Sequence, residues 1–368
     1  MIPSILKKLA AAGIAVWLAS LLPAAAQTPA LEQMARQMIV VGFVGDSVDD
    51  PGVVNVRDQI AAGELGGVMY LKTNVASLKA VKAMNEAFRA ASPNLLPFLT
   101  LDQEGGYVER LTRDVGFPET PSAASVAAAG IANVRATYNK MARGIADLGF
   151  TVNFGPVVDL NRNKANQIIA RFGRSYGAGA NTVTVFAEQF IAAHHDVGLV
   201  TSLKHFPGHG SSTADSHEGF VDISKTWDPV ELSPYQQLFA QGYEDFVMVG
   251  HLFHSGYAGD GDLKLPASLS PEWITGVLRT ELGFKGVVIS DDLEMGAIRE
   301  HFGLRDTVVR AVNAGMDVLL FSNTAKPRPT LAAEIRKILV DEAEADPAFR
   351  ARIEESYARI VAMKARIH

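Results

Sequence analysis

The stretch Val200-Thr201-Ser202-Leu203-Lys204-His205-Phe206-Pro207-Gly208-His209-Gly210 begins apolar and ends polar and bent. Asp215-Ser216-His217 follows closely, so the 14 residues from Lys204 to His217 hold three histidines, a lysine and an aspartate. A helix does not accommodate Pro207 beside two glycines, and a central strand does not accommodate the proline. The segment therefore reads as a short buried strand over 200–203 that delivers a loop. Loops carried on a rigid scaffold are where chemistry is displayed.

The same layout recurs along the chain. Apolar runs stand at 38–44, 67–71, 97–101, 152–160, 200–203, 245–251, 286–290 and 317–321. Most are aliphatic without clean alternation, as expected of parallel strands covered on both faces. Helical patterns lie between them at 75–91, 122–148 (alanine-rich, read as a broken or double helix), 181–197, 233–242, from Ser270-Pro271 onward, 306–315 and 330–343. A further helix is expected over 346–365, packed outside. Ser-Pro at 233–234 and at 270–271 matches a cap followed by a first-turn proline.

Eight strands alternating with helices predict an α/β fold, a single-domain (β/α)8 TIM barrel, with a doubly wound open sheet as the rival. The polar residues favour the barrel. Asp102, Asp159, Lys204, His251 and Asp291 each end a different apolar run. In a barrel those ends converge on one mouth, whereas an open sheet spreads them along an edge.

The chain has 368 residues, 48% hydrophobic and 20% charged, an ordinary composition for a folded domain. The net charge of −6 gives no basis for a nucleic-acid partner. With no cysteine, disulfides, thiolate metal sites and a thiol nucleophile are excluded. Lys7 and Lys8, an apolar stretch of 14 residues from Leu9 to Leu22, and Ala24-Ala25-Ala26 have the form of an export signal. That stretch falls short of the roughly 20 residues of a membrane span. The expectation is a signal peptide over 1–26, a catalytic domain over 27–368, and a secreted or periplasmic product without a stable membrane span. Loss of Lys7 and Lys8 would take the net charge from −6 to −8.

Val287-Val288-Ile289-Ser290-Asp291-Asp292 places two carboxylates where a strand stops. Side chains alternate, so Asp291 can face the mouth as nucleophile, base or metal ligand, while Asp292 suits a helix cap. Leu101-Asp102-Gln103-Glu104-Gly105-Gly106 repeats the pattern. Asp102 can bind hydroxyls or anchor its loop, and Glu104 reads as a structural group bonded to nearby backbone. Arg110 and Arg174 are candidate donors to a polar ligand, although a loop arginine is commonly just solvated. Lys204 extends a buried strand, which is costly unless it is paired or bound.

Asp215 lies two residues before His217, close enough to hold one ring nitrogen and tune the other for proton transfer. Five of the nine histidines (205, 209, 217, 251 and 254) cluster after the fifth and sixth strands, which raises a metal site. Pro207 and Gly208 forbid the helix that would align His205 with His209, so no metal is expected. His194 and His195 fall on a helix, away from the loops.

Together these motifs resemble glycoside hydrolase family 3, specifically its single-domain β-N-acetylhexosaminidases. The signature Lys-His-Phe-Pro-Gly-His-Gly, four residues, then Asp-Ser-His is intact from Lys204 to His217. Leu101–Gly106, Asn153–Asn161, Gly173-Arg174-Ser175-Tyr176-Gly177 and Ser290–Met295 match further motifs in order. The resemblance implies Asp291 as nucleophile, His217 as general acid/base and Asp215 as its partner. It also implies sugar binding by Asp102, Arg110, Arg174, Lys204 and His205. Two departures stand out: Tyr107 where the family often has arginine, and Asn166 to Phe172 before Gly173, where relatives often have a shorter lead-in.

The implied reaction is retaining hydrolysis of a terminal β-linked N-acetylglucosamine from peptidoglycan-derived or chitin-like glycosides. No cofactor is implied, and a monomer is the family default. Retaining enzymes usually set two carboxyl groups about 5–5.5 Å apart, and here a histidine would replace one. An N-acetylglucosaminide phosphorylase and a non-catalytic periplasmic amino-sugar-binding protein are the rivals. The glycine-bearing connection over 206–230 is expected to move, bringing His217 in only when sugar binds.

Overall fold

In the computed structural model, which describes residues 29–92, 95–258 and 263–367, eight parallel strands close on themselves. They are β1 Ile39–Gly42, β2 Gly67–Tyr70, β3 Phe98–Leu101, β4 Val152–Asn153, β5 Val200–Phe206, β6 Phe246–Val249, β7 Val287–Ser290 and β8 Leu319–Phe321. Each pairs with its sequence neighbours, and β1 also pairs with β8. A single bridge between Ile289 and Val318 completes the ring between β7 and β8. Every strand residue is buried, which is why the runs are apolar throughout rather than alternating. The fold is the expected (β/α)8 barrel. The proposed signal peptide, 1–26, lies outside the described residues.

Two strand ends differ from the sequence reading by three residues or more. The run 152–160 yields only a two-residue strand, because Pro156 has no N–H to give a ladder. The chain still returns to the sheet where Val157 bridges Lys204. In compensation β5 runs three residues beyond 203, with a register shift against β6 between Leu203 and Phe206. This carries Lys204 and His205 into the sheet itself rather than into a loop.

Helices cover the outside. The 122–148 pattern divides as expected, into Ala123–Ala128 and Val134–Asp147, broken at Gly130. The helix Pro51–Ala61 was not anticipated. Its signal was present: Pro51 in the first turn, and Val53, Val56 and Ile60 on the buried face. Ser233 does not cap its helix. A 3-10 turn, Pro229–Leu232, precedes it, and Asp228 accepts the N–H of Val230 instead. Among the described residues no helix is long and apolar enough to cross a membrane.

Phe98 and Phe246 come from strands that are not neighbours, so their edge contact at 5.1 Å crosses the barrel interior. The lower rim, where strands begin, is held by two buried aspartates. Asp245 accepts from Thr201 N (2.9 Å), His195 Nε2 (2.7 Å) and Arg366 Nη2 (2.6 Å). Asp317 accepts from Val288 N (2.9 Å), Arg279 Nη2 (2.5 Å), Ser356 Oγ (2.9 Å) and Arg359 Nη1 (3.0 Å). It thereby clamps the helix Pro347–Lys364 onto the barrel. Asp317→Ala leaves the part-buried Arg279 and Arg359 without their acceptor and is expected to lower stability by about 3 kcal/mol. Urea unfolding measures this; a loss below about 1 kcal/mol contradicts the clamp.

Candidate active site

At the opposite rim the strand ends converge on a cavity of ≈ 210 Å³. Its lining includes all the expected site residues except Asp215, which reaches it through His217. One wall is a network of matched charges. Lys204 is almost fully buried and donates to Asp102 Oδ1 (2.7 Å) and Glu104 Oε1 (2.7 Å). Arg110 Nη2 donates to Asp102 Oδ2 at 2.7 Å. Arg174 holds Glu104 in bidentate fashion, Nε to Oε2 at 2.8 Å and Nη2 to Oε1 at 2.7 Å.

Glu104 thus differs from the sequence reading. Its carboxylate joins the cavity wall through partners 70 and 100 positions away, which no local pattern reveals. Burial alone would raise its pKa; Arg174 and then Lys204 outweigh that and hold it well below the usual range. Asp102 is likewise lowered, with burial opposed by Lys204 and Arg110. Both stay ionised as fixed acceptors, and Lys204 has the pairing that burial demands.

Behind the wall, His205 Nδ1 donates to Asp159 Oδ2 at 2.7 Å, and Arg174 Nη2 lies 3.3 Å from His205 Nε2. Asp159 Oδ1 also accepts the backbone N–H of His209 at 2.7 Å. This buried carboxylate therefore joins the end of β5 to the loop beyond it. Burial drives the His209 pKa down to about 4, so its ring is neutral.

Asp291 leaves β7 with its N–H donated to Val249 O at 3.0 Å. Its Oδ1 accepts the N–H of Asp292 at 2.8 Å, and Oδ2 has no protein donor among the described residues. Burial would raise its pKa, but His205, His251 and His217 dominate and bring it down to about 2. An ionised, incompletely bonded carboxylate facing a cavity is a competent nucleophile. Asp292 does not cap a helix. Its Oδ1 accepts from Glu294 N (3.0 Å) and Ser322 N (2.8 Å), fixing the turn between β7 and β8. His251, which the sequence offered as a strand-end residue and as one of the five clustered histidines, donates to the Asp292 carbonyl at 2.9 Å and so braces that turn.

His217 Nδ1 lies 2.7 Å from Asp215 Oδ1, which also accepts the His217 backbone N–H at 2.9 Å. The carboxylate demands a proton on Nδ1 and leaves Nε2 for the cavity. That bond raises the His217 pKa; burial opposes it, and the Asp291 charge adds to the rise.

His217 lines the cavity here, and the chain's own contacts hold its loop in that place. Ser216 O accepts from Ala297 N (3.3 Å), and His209 Nδ1 bonds Ser212 Oγ (2.6 Å). Asn166 Nδ2 donates to His209 O (2.8 Å) and Ser212 O (3.1 Å). A two-residue ladder, Val221–Asp222 with Leu252–Phe253, pins the loop's far end. Asn166 belongs to the unusual lead-in before Gly173, so that departure supports the loop.

Glu231 lies beneath the same loop, with Oε2 accepting Gly210 N at 3.1 Å and Oε1 without a donor among the described residues. Burial pushes its pKa up to about 7, well above the ordinary 4.5. The folded protein therefore binds this proton more tightly than the unfolded chain. The contribution to stability is complete below about pH 4.5 and lost as pH rises through about 7. Urea unfolding is expected to show Glu231→Gln gaining roughly 3 kcal/mol relative to the parent between pH 5 and pH 8. An unchanged difference across that window contradicts a buried, protonated Glu231.

Among the described residues no three His, Asp or Glu side chains are disposed to hold a metal.

The chain matches the family described as "Glycosyl hydrolase family 3 N terminal domain" over residues 30–363. A protein named "Beta-hexosaminidase" from Stenotrophomonas maltophilia is 32% identical over 293 residues, covering 77% of this chain and 82% of the relative. One of the same name from Xanthomonas axonopodis pv. citri is 33% identical over 309 residues, covering 81% and 85%. Among solved structures, a beta-N-acetylhexosaminidase from Beutenbergia cavernae superposes with a TM-score of 0.82 at 29% identity, over 92% of this chain and 99% of that one. A family 3 beta-N-acetylglucosaminidase from Paenibacillus gives 0.79 at 31%, over 92% of this chain and 63% of that one.

Proposed function

Since the chain belongs to glycoside hydrolase family 3, we propose that it is a retaining exo-β-N-acetylglucosaminidase acting through a covalent glycosyl-enzyme. One observation carries this reading: Asp291 and the Asp215-braced His217 line the same cavity as a wall of ionised acceptors and donors. The names of the relatives supply the amino sugar.

In the first step Asp291 Oδ2 bonds to C1 as the C1–O bond breaks. The imidazolium of His217 passes its Nε2 proton to the leaving oxygen. In the second, neutral His217 takes a proton from water through Nε2, the oxygen of that water bonds to C1, and Asp291 departs as carboxylate. Asp215 accepts from Nδ1–H throughout and stabilises the cationic form. Asp102, Lys204, Arg110, Arg174 and His205 are the groups assigned to the sugar hydroxyls. Their mutual pairing fixes them before substrate arrives.

NMR of the first product of an aryl β-N-acetylglucosaminide tests the reaction. The β-anomer is expected first; an initial α-anomer contradicts the covalent route. Run in phosphate, the same reaction separates hydrolysis from phosphorolysis, since a sugar 1-phosphate would overturn the hydrolase reading. Binding without turnover would favour a sugar-binding protein. The protein is further assigned to the periplasm or exterior as a monomer, from its first 26 residues and its family. A mature N-terminus near Gln27 tests the export.

A further inference from the structure

The cavity mouth carries an aromatic pair that the reaction as described does not use. Tyr107 and Phe172 stack with centroids 3.8 Å apart and planes 11° apart, and both line the cavity that holds Asp291. Tyr107 is nevertheless 68% exposed, so with Phe172 against one face its other face is open. A large exposed aromatic held this way at the rim of a site presents flat apolar area to a ligand.

The pair is built in place. A short hairpin bridges Gly105 to Val108 and puts Tyr107 at its tip. Gly105 and Gly106 adopt φ of 96° and 66°, and a Cβ on either would lie 2.6 Å from the segment Pro121-Ser122. Ala124 N donates to Gly173 O at 3.0 Å, so the turn carrying Phe172 rests on the same segment. The Arg171 guanidinium lies 5.3 Å from the Phe172 ring centre and adds a cation–π contact. Both rings are therefore fixed before binding, which limits the entropy a ligand must supply.

Charge does not select the leaving group. Among the lining residues Asp102, Glu104 and Asp291 are matched in number by Arg110, Arg174 and Lys204, and the one further cation, protonated His217, is spent on the leaving oxygen itself. What remains for recognition beyond the cleaved bond is shape and apolar contact. A β-linked pyranose with equatorial substituents exposes axial C–H groups on a flat face of matching size.

We propose that Tyr107, backed by Phe172, is a stacking platform for the leaving group, so that the enzyme prefers glycosides whose leaving group is itself a pyranose ring. This rests on the N-acetylglucosaminidase reading. The test compares kcat/KM for N,N′-diacetylchitobiose with that for methyl β-N-acetylglucosaminide, which has no ring to stack. A second arm replaces chitobiose by N-acetylglucosaminyl-β-1,4-N-acetylmuramic acid, to distinguish chitin-like from peptidoglycan sources.

Tyr107→Ala is expected to lower the disaccharide-to-methyl ratio about tenfold in at least one arm. Tyr107→Phe and Tyr107→Trp are expected to keep it within about twofold. The arm with the larger loss identifies the source. A ratio unmoved by Tyr107→Ala in both arms overturns the platform, as does an equal loss in Tyr107→Phe, which would assign the effect to the hydroxyl. A parent enzyme that releases N-acetylglucosamine from none of these substrates would overturn the underlying activity, and the platform with it.

Discussion

Asp291→Asn is expected to lower kcat on an aryl β-N-acetylglucosaminide by on the order of 10⁴-fold or more while changing KM little. The reason is local. Asparagine has nearly the same shape and can still accept the Asp292 N–H, so the turn after β7 should persist. What disappears is the charge that His205, His251 and His217 stabilise against burial, the balance that puts the Asp291 pKa at about 2. Sugar binding is assigned to Asp102, Arg110, Arg174, Lys204 and His205, whose mutual contacts do not involve Asp291. In Asp291→Gly, azide in the space vacated by the carboxylate should restore turnover of an activated substrate and give the α-glycosyl azide. A loss of less than about tenfold, or a β-azide product, is incompatible with Asp291 as nucleophile.

Substitution of His217 by glutamine carries the second largest effect, roughly 10²–10⁴-fold in kcat/KM for substrates with poor leaving groups. A dinitrophenyl leaving group needs no proton, so its first step should be nearly spared. The slow second step should then appear as a burst followed by a low steady rate. The pH profile carries the sign. The Asp215 bond raises the His217 pKa, so the acid form persists above the ordinary value of about 6.5. Below that raised pKa, kcat/KM should be level, since Asp291 is ionised down to about pH 2. It should fall as pH rises through it. Asp215→Asn removes the stabilising acceptor and should move this alkaline limb to lower pH. A limb that stays in place would detach Asp215 from the proton transfer.

The barrel was legible because its strands are buried on both faces and stop at conspicuous polar groups. Asp102, Lys204 and Asp291 mark three such ends, and the structure brings them to one cavity. The exchange of length between β4 and β5 was not legible, since it depends on Val157 bridging Lys204 rather than on either run alone. The partnership of Glu104 with Arg174 was hidden for a similar reason: it joins two loops through contacts made only in the folded chain. Local spacing did suffice for Asp215 and His217, two residues apart. It did not foretell the seating of their loop, which depends on Asn166 and on Ala297, distant in sequence from His217. Tyr107 was visible only as an unusual residue; its stacking on Phe172 gave it a role.

Mass spectrometry after trapping with a fluorinated N-acetylglucosaminide inactivator tests the central assignment most directly. The account predicts a single glycosylated peptide with the sugar on the Asp291 carboxylate. It also predicts no label in Asp291→Asn and full labelling in Asp292→Asn. A sugar on any other side chain, or turnover of the inactivator with no covalent adduct, would contradict it.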